Sequence, residues 1–153
     1  MNALKVFQSI QTQEQAIEFL EGARWSGRAT CPYCQSQKVS RHASGDRAHI
    51  RWQCGACHRA FSVTVGTIFQ STHIPLRNWF LVLVLMIKST KAASSSYRIA
   101  RDLDMRRPTV WRMMRRIRNA MEQDTLQRKL LLEIAGADEA YAGRKPRRRE
   151  VGA

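Results

Sequence analysis

Two CxxC motifs limit what this chain can fold into more than any other feature of its sequence. Cys31 and Cys34 form the first pair, and Cys54 and Cys57 form the second after nineteen intervening residues. Two residues between paired cysteines let both thiolates reach one ion at about 2.3 Å, and four thiolates complete a tetrahedral zinc site with no open position for water. We therefore predict a structural Zn²⁺ ion, held by all four cysteines in a ribbon of short strands.

Two other uses of CxxC pairs fit the sequence less well. Disulfides belong to oxidising compartments, and residues 1–5 open no apolar signal segment, so we expect a cytoplasmic, nucleoid-associated protein. A thioredoxin-type redox motif needs one pair inside a βαβ pattern, which the sequence does not show. His58 directly follows Cys57. We leave His58 out of the coordination sphere because four cysteines already satisfy the ion.

The balance of charge predicts a polyanionic partner. Lys and Arg number 26 against 12 Asp and Glu, which gives a net charge of +14. Because phosphates condense counterions that are released when Lys and Arg bind, nucleic acid is the leading partner. Membrane binding would need a basic amphipathic helix or a lipidation signal, and neither is evident. Residues 79–87 are the most apolar run, but a bilayer span needs roughly twenty residues. We predict a buried helix there and no membrane partner.

The N-terminal part of the chain predicts a helix followed by the ribbon. A short amphipathic helix is expected over residues 12–20, with Thr12 as its N-cap and with Gly22 and Gly27 ending it. Apolar and polar residues alternate over residues 59–65, which is typical of a half-buried strand. With two shorter segments before the second cysteine pair, this gives a three-stranded ribbon.

The middle of the chain predicts a helix-turn-helix. Residues 76–88 form a mostly apolar helix that needs other elements around it. A short helix over residues 97–103, a break over 104–107 and a second helix from Pro108 to about Gln127 fit the motif. The apolar helix supplies its platform.

The second helix of this motif has two different faces. At about 100° per residue, Val110, Met114, Ile117 and Met121 form one apolar stripe. The opposite side is cationic, and residues 106–118 contain six arginines and no acid. An ordinary solvated face usually mixes both signs of charge, so we favour a DNA-binding face over a merely soluble one.

The cationic side supplies the candidate DNA contacts. Residues near the helix N-terminus are expected to approach base edges, and the remaining arginines to meet phosphates. The predicted base contacts are Thr109 and Arg112. The predicted phosphate contacts are Arg106, Arg107, Arg115, Arg116 and Arg118.

The last part of the chain changes character again. Residues 130–137 are apolar apart from Glu133, and they precede Asp138, Glu139 and a basic tail. This order predicts a strand that delivers a carboxylate at its end, although surface acids are the usual explanation for one Asp-Glu pair.

Taken in order, these segments resemble the N-terminal half of bacterial insertion-sequence transposases. The resemblance rests on the cysteine quartet, on Gly66-Thr-Ile-Phe69, Pro75-Leu-Arg-Asn-Trp-Phe80, Ser96-Tyr-Arg-Ile-Ala-Arg-Asp-Leu103, Thr109-Val-Trp111 and Asp138-Glu-Ala-Tyr141. Such transposases carry a zinc ribbon and a helix-turn-helix ahead of a DDE-type, ribonuclease H-like catalytic domain. The resemblance implies that Asp138 is the first carboxylate of a catalytic triad that holds two Mg²⁺ ions for phosphoryl transfer.

The resemblance also implies a fold and a division of the chain. We expect an α+β, multi-module protein that ends in an incomplete first strand of a ribonuclease H-like domain. The expected units are an N-terminal helical segment (1–27), a zinc ribbon (28–70), a helix-turn-helix module (74–127) and the start of a DDE catalytic domain (128–153). Only one of three catalytic acids is present, so we expect a truncated or split product that uses Mg²⁺ only when another chain completes the catalytic domain.

Three functions follow as hypotheses. The first is the DNA-binding portion of a transposase that recognises double-stranded transposon ends. The second is a stand-alone zinc-ribbon and helix-turn-helix regulator of transcription. The third is an enzyme, active alone or when completed by a second polypeptide, and the sequence leaves its activity and its homo-oligomeric state undecided. Two departures from the family pattern predict a slightly strained turn: Asp104 stands where glycine is frequent, and Arg106 and Arg107 stand where a Ser or Thr cap is expected.

Overall fold

A computed structural model describes residues 8–42, 51–88 and 95–136 of the chain. The described helices are α1 (Gln13–Trp25), α2 (Leu76–Lys88), α3 (Ser96–Asp102), α4 (Arg107–Gln123) and α5 (Thr125–Ala135). The described strands are β1 (Val39–His42), β2 (Arg51–Cys54) and β3 (Ala60–Phe61). This combination confirms the α+β class.

Helix α1 begins with a capping box. The Thr12 hydroxyl accepts a hydrogen bond from the Gln15 amide at 3.2 Å, and the Gln15 side chain accepts one from the Thr12 amide at 3.2 Å. These two bonds satisfy amides that the first turn leaves unpaired. The predicted cap is confirmed, but the helix continues to Trp25 and contains Gly22. Ser26, with φ 48°, ends it in the left-handed conformation.

The strands form an antiparallel sheet in the order β1-β2-β3. Val39 is paired with Cys54, and Trp52 with Phe61. The three-stranded ribbon is confirmed, but the predicted strand over residues 59–65 is too long. The chain turns after β3 because Thr64 and Thr67 bond locally: the Thr67 hydroxyl donates to the Thr64 carbonyl at 2.6 Å.

A hydrophobic core joins all five described helices, and α2 lies at its centre. Every residue from Trp79 to Val84 is buried, and α2 packs against α1, α4 and α5. The prediction of a helix enclosed by other elements is therefore confirmed. In the part of the chain that the structure describes, no helix is long and apolar enough to cross a membrane.

The region after residue 123 differs from the sequence-based prediction. Asp124 ends α4 and caps α5, since its carboxylate accepts hydrogen bonds from the amides of Leu126 at 3.0 Å and Gln127 at 3.1 Å. The predicted strand over residues 130–137 is wrong, because α5 occupies Thr125–Ala135 and buries Leu131 and Ile134 in the core. Asp138 lies outside the described residues.

Helix α1 connects the ribbon with the helical core. Trp25 packs against both hydrophobic clusters, and its ring meets those of Trp52 and Phe61 edge to face, with centroids 5.5 and 6.1 Å apart. The indole N–H of Trp52 donates to the Glu21 carboxylate at 3.0 Å. The Arg24 guanidinium donates to the Val63 carbonyl at 2.6 Å, and its burial lowers the pKa of Arg24.

Candidate metal centre and nucleic-acid interface

The four cysteines converge at one end of the ribbon. Their Sγ atoms all lie within 4.8 Å of one another. The Sγ atoms of Cys31 and Cys57 are 3.6 Å apart, and those of Cys34 and Cys54 are 3.5 Å apart. Four sulfurs at about 2.3 Å from a tetrahedral ion lie about 3.8 Å from each other. The arrangement therefore fits a Zn²⁺ ion, and all four thiols are free rather than paired in disulfides.

The two cysteine pairs have the same backbone geometry. In each pair, the carbonyl of the first cysteine accepts a hydrogen bond from the amide four residues later, which closes a turn. The amide of Gln35 donates to the Cys31 carbonyl at 3.0 Å, and the amide of His58 donates to the Cys54 carbonyl at 3.0 Å. Gln35 and His58 both have positive φ, 62° and 58°, a conformation that non-glycine residues adopt rarely. We call each of these turns a knuckle, the first over residues 31–35 and the second over residues 54–58.

Backbone amides in the knuckles point at sulfur. In the second knuckle the amides of Ala56 and Cys57 lie 3.4 and 3.5 Å from Cys54 Sγ. The Cys57 and Ala56 amides stabilise the thiolate and lower the pKa of Cys54 to about 6, although burial opposes them. For Cys31, burial raises the pKa, but the amides of Cys34 and Tyr33, together with the Cys57 and Cys34 side chains, outweigh it and lower the pKa. At Cys34 the Ser36 amide lowers the pKa, but the Cys54 side chain and burial outweigh it and raise the pKa to about 12. Because thiolates are the form that binds metal, the backbone amides favour the ligand state at Cys31 and Cys54.

The second knuckle packs closely against the residue that precedes β1. The amide of Gly55 donates to the Lys38 carbonyl at 2.7 Å, and a Cβ at position 55 would lie 3.2 Å from that oxygen. His58 is exposed. Within the described residues, the metal-ligating cluster comprises the four cysteines without His58. The chemistry of four thiolates without an open position suits a structural ion.

Helices α3 and α4 pack on each other through a tight turn. Asp104 in this turn has φ 51°, so the strain expected there is present. Arg106 occupies the N-cap of α4 without a side-chain hydrogen bond to the helix. The Ser95 hydroxyl caps α3 by accepting from the Arg98 amide at 3.3 Å.

The side chains that α4 turns towards the core include those that its periodicity predicts. Val110, Met114 and Ile117 are buried, and Met121 is partly buried. Met113 and Ala120 widen the buried stripe. Thr109 is half-buried at its edge. The six arginines of this region are all exposed: Arg106, Arg107, Arg112, Arg115, Arg116 and Arg118. We call these six residues the cationic face.

The cationic face is not uniform. Arg116 turns towards the loop after the ribbon, where its guanidinium donates to the Ile68 carbonyl at 3.2 Å. Next to it, Gln127 donates to the Gly66 carbonyl at 2.8 Å. Arg116 therefore ties α4 to that loop, whereas the Arg112 guanidinium has no hydrogen-bond partner among the described residues.

Sequence reasoning missed two exposed aromatic residues on this side of the molecule. Tyr97 and Trp111 are 63% and 49% exposed. Arg107 lies over the Tyr97 ring at 6.0 Å, and Arg115 over the Trp111 ring at 5.4 Å. Trp111 falls outside the apolar stripe when α4 is plotted at about 100° per residue, and this signal was available from the sequence.

Comparisons with known proteins support the assignment of a zinc ribbon. Residues 11–60 match the family described as transposase zinc-ribbon domain. The matched span includes α1, β1 and β2 and ends at the first residue of β3. This agrees with the contacts by which Trp25 and Glu21 join α1 to the ribbon.

Two curated relatives come from mobile elements. The chain is 30% identical over 152 residues to an uncharacterized protein in transposable element ISH50 of Halobacterium salinarum, covering 98% of this chain and 48% of that protein. It is 47% identical over 34 residues to the insertion element iso-IS1N protein InsA of Shigella dysenteriae, covering 22% of this chain and 38% of that protein.

The matches cover part of each relative. The chain spans about half the length of the first relative and less of the second. No solved structure matches the chain significantly. Together with the cysteine cluster, the matches show a protein related to insertion-sequence transposases that carries a transposase-type zinc-ribbon domain.

Proposed function

We propose that this chain is the DNA-binding portion of an insertion-sequence transposase and that it recognises the ends of its element as double-stranded DNA. The observation that carries the proposal is the cationic face of α4. Five exposed arginines lie on α4 and a sixth lies at its N-cap, and the opposite side of the helix is buried in the core. The printed names of the relatives support the connection with mobile elements.

In the proposal, α3 and α4 act as a helix-turn-helix. The second helix of such a motif lies in the major groove, and its N-terminal residues contact base edges. The exposed Arg106 and Arg107 stand at the start of α4, and Arg112 follows on its exposed side. We assign Arg112 and Thr109 to base contacts. The phosphate contacts are Arg106, Arg107, Arg115 and Arg118.

The proposed role of Arg116 is different from that of the other arginines. Its hydrogen bond to the Ile68 carbonyl keeps one edge of the guanidinium on the protein. Arg116 is therefore a positioning residue that fixes α4 against the loop after the ribbon, and it meets phosphate with its remaining donors. A guanidinium has five N–H donors, which is enough for both tasks.

The ribbon's proposed ligands are Cys31, Cys34, Cys54 and Cys57, and the proposed ion is Zn²⁺. Zinc supplies folding free energy and takes no part in strand cleavage. Because α1 packs on both the sheet and the helical core, the ion also holds the ribbon in place beside α4.

The proposed catalytic contribution lies outside the described residues. The family resemblance assigns Asp138 as the first of three carboxylates, and Mg²⁺ chemistry requires the other two as well. Strand cleavage is therefore proposed only for a complete catalytic domain, whether in the same polypeptide or in a second one.

Binding to terminal inverted repeats of the element tests the proposal. Fluorescence anisotropy at several salt concentrations compares a duplex that carries the repeat with a scrambled duplex. We expect the repeat to bind at least a hundredfold more tightly at moderate salt, since specific binding typically exceeds non-specific binding by about 10³ or more. Equal affinity for both duplexes would remove the proposal. Preference for a promoter-proximal operator over the repeats would favour a regulator instead.

A matched pair of variants locates the contact. Arg112→Ala and Arg28→Ala each remove one exposed positive charge, but only Arg112 lies on the cationic face. Arg112→Ala is expected to weaken specific binding by about fivefold to a hundredfold, while Arg28→Ala leaves the preference for the repeat intact.

A further inference from the structure

Aromatic and cationic side chains alternate along one edge of the cationic face. Arg107 stacks on Tyr97, and Arg115 stacks on Trp111. Arg107, Trp111 and Arg115 are four residues apart, so they are neighbours along the surface of α4. We call Tyr97, Arg107, Trp111 and Arg115 the aromatic edge.

Trp111 differs from two other tryptophans of the chain in what it contacts. The indole N–H groups of Trp52 and Trp79 donate to Glu21 and Thr72, each at 3.0 Å. The indole N–H of Trp111 has no acceptor among the residues that the structure describes. Trp111 therefore presents a large apolar ring and a free donor to solvent.

Two features of the structure determine which part of this ring is open to a partner. Trp111 lies in the N-terminal part of α4, the part of a recognition helix that contacts base edges. The guanidinium of Arg115 covers one face of the ring at 5.4 Å, which restricts its rotation. The remaining face and edge of the ring are therefore held towards solvent in a defined orientation.

We propose that Trp111 recognises a thymine in the major groove, by apolar contact with the C5-methyl group and by donation from Nε1–H to O4. This inference rests on the proposed function and names a specificity-determining residue for it. Thymine presents a methyl group beside an acceptor, whereas cytosine presents the N4 donor at that place. Indole offers an apolar ring beside one N–H and has no acceptor. The indole edge is therefore complementary to the major-groove edge of thymine.

The test uses a duplex that the wild-type chain selects from a random pool, with each thymine replaced in turn. Uracil removes the methyl group and keeps O4. A 5-methylcytosine·guanine pair keeps the methyl group and replaces O4 with a donor. We expect one thymine at which uracil weakens wild-type binding about fourfold, the effect of one buried methyl group. At the same thymine, 5-methylcytosine weakens binding by about tenfold or more.

Two variants assign these losses to Trp111. Trp111→Ala binds the selected duplex more weakly and no longer distinguishes thymine from uracil at that position. Trp111→Phe keeps part of the sensitivity to the methyl group but loses the additional sensitivity to the exchange of O4, because phenylalanine has no donor. Leu126→Ala is the control: Leu126 is 78% exposed on α5, outside the cationic face, and its removal leaves all these ratios unchanged.

Several results would overturn the inference. If Trp111→Ala binds and discriminates like the wild type, Trp111 makes no base contact, while the proposed function stands. Tighter binding of the wild type to a single-stranded oligonucleotide than to the duplex would assign the aromatic edge to base stacking instead. If the wild-type chain enriches no sequence at all, both the inference and the proposed function fail.

Discussion

The zinc ribbon and the helical core share α1, but they are stabilised in different ways. The buried cluster of the ribbon consists of Cys31, Cys54 and Phe61, and two of these three residues are proposed zinc ligands. The helical core buries apolar side chains from every described helix. A small module cannot bury enough apolar surface to fold on that basis alone. The comparison indicates that metal stabilises one region and apolar burial the other.

Zinc removal gives the largest expected effect and separates the two regions. A structural zinc site contributes about 10–16 kcal/mol to the folding of small zinc modules. Chelation, or Cys54→Ser, is expected to remove hydrogen-exchange protection from β1, β2 and β3 and to weaken DNA binding, while α2 to α5 keep their far-ultraviolet circular dichroism. Loss of both regions in one transition would show that the helices depend on the ion as well.

A cavity in the helical core is expected to lower the stability of the helices and to leave zinc binding by the ribbon unchanged. Leu131 is fully buried on α5, and Leu131→Ala should lower the free energy of unfolding by about 2–5 kcal/mol. Urea denaturation of the zinc-loaded chain measures this, and a zinc competition assay is expected to show unchanged metal affinity. The exposed Leu126→Ala serves as control. A neutral Leu131→Ala would contradict the placement of α5 in the core.

Trp25→Ala tests how far the two regions act together. The variant loses two edge-to-face ring contacts, with Trp52 and Phe61, each contributing about 0.5–1.5 kcal/mol in addition to buried area. We expect the loss of these two ring contacts to lower the free energy of unfolding by about 1–3 kcal/mol, apart from the lost buried area. The ribbon and the helices are expected to melt in separate steps in differential scanning calorimetry. Trp111→Ala, which removes an exposed tryptophan, should leave the melting profile unchanged. A single transition in Trp25→Ala would show that other contacts couple the regions.

Asp124→Ala is the smallest of these perturbations. Loss of an N-cap side chain typically costs about 1 kcal/mol, here by leaving the amides of Leu126 and Gln127 without their acceptor. Thermal denaturation followed at 222 nm measures the effect, and Asp124→Asn is expected to restore most of it. Equal destabilisation by Ala and Asn would mean that the charge, and not the cap, is what matters.

The sequence predicted the parts of the fold that depend on local spacing. The cysteine pairs, the Thr12 cap and the phase of α4 each involve residues close together in the chain. Residues 130–135 are different, because a short apolar run fits a buried strand or a buried helix equally well. The neighbouring helices, together with the cap at Asp124, decide that it is α5.

The candidate site also combines features that local spacing predicts with features that depend on tertiary packing. The exposed face of α4 followed from its periodicity. The hydrogen bond from Arg116 to the Ile68 carbonyl joins residues 48 positions apart, and no local pattern reports it. Stacking of Arg107 on Tyr97 likewise depends on how α3 packs against α4. Which arginines keep their guanidinium groups free of contacts within the protein is therefore a property of the tertiary structure.

The matching knuckles also determine how the ribbon captures its ion. Each knuckle is closed by its own backbone hydrogen bond within five residues, so each is a two-sulfur chelator whose geometry is set locally. An ion held by one knuckle meets the second at an effective concentration fixed by the intervening chain rather than by the protein concentration. Pairing of Val39 with Cys54 brings the second knuckle beside the first. Metal loading is thus an intramolecular ring closure, and its rate should depend on how readily that hairpin forms.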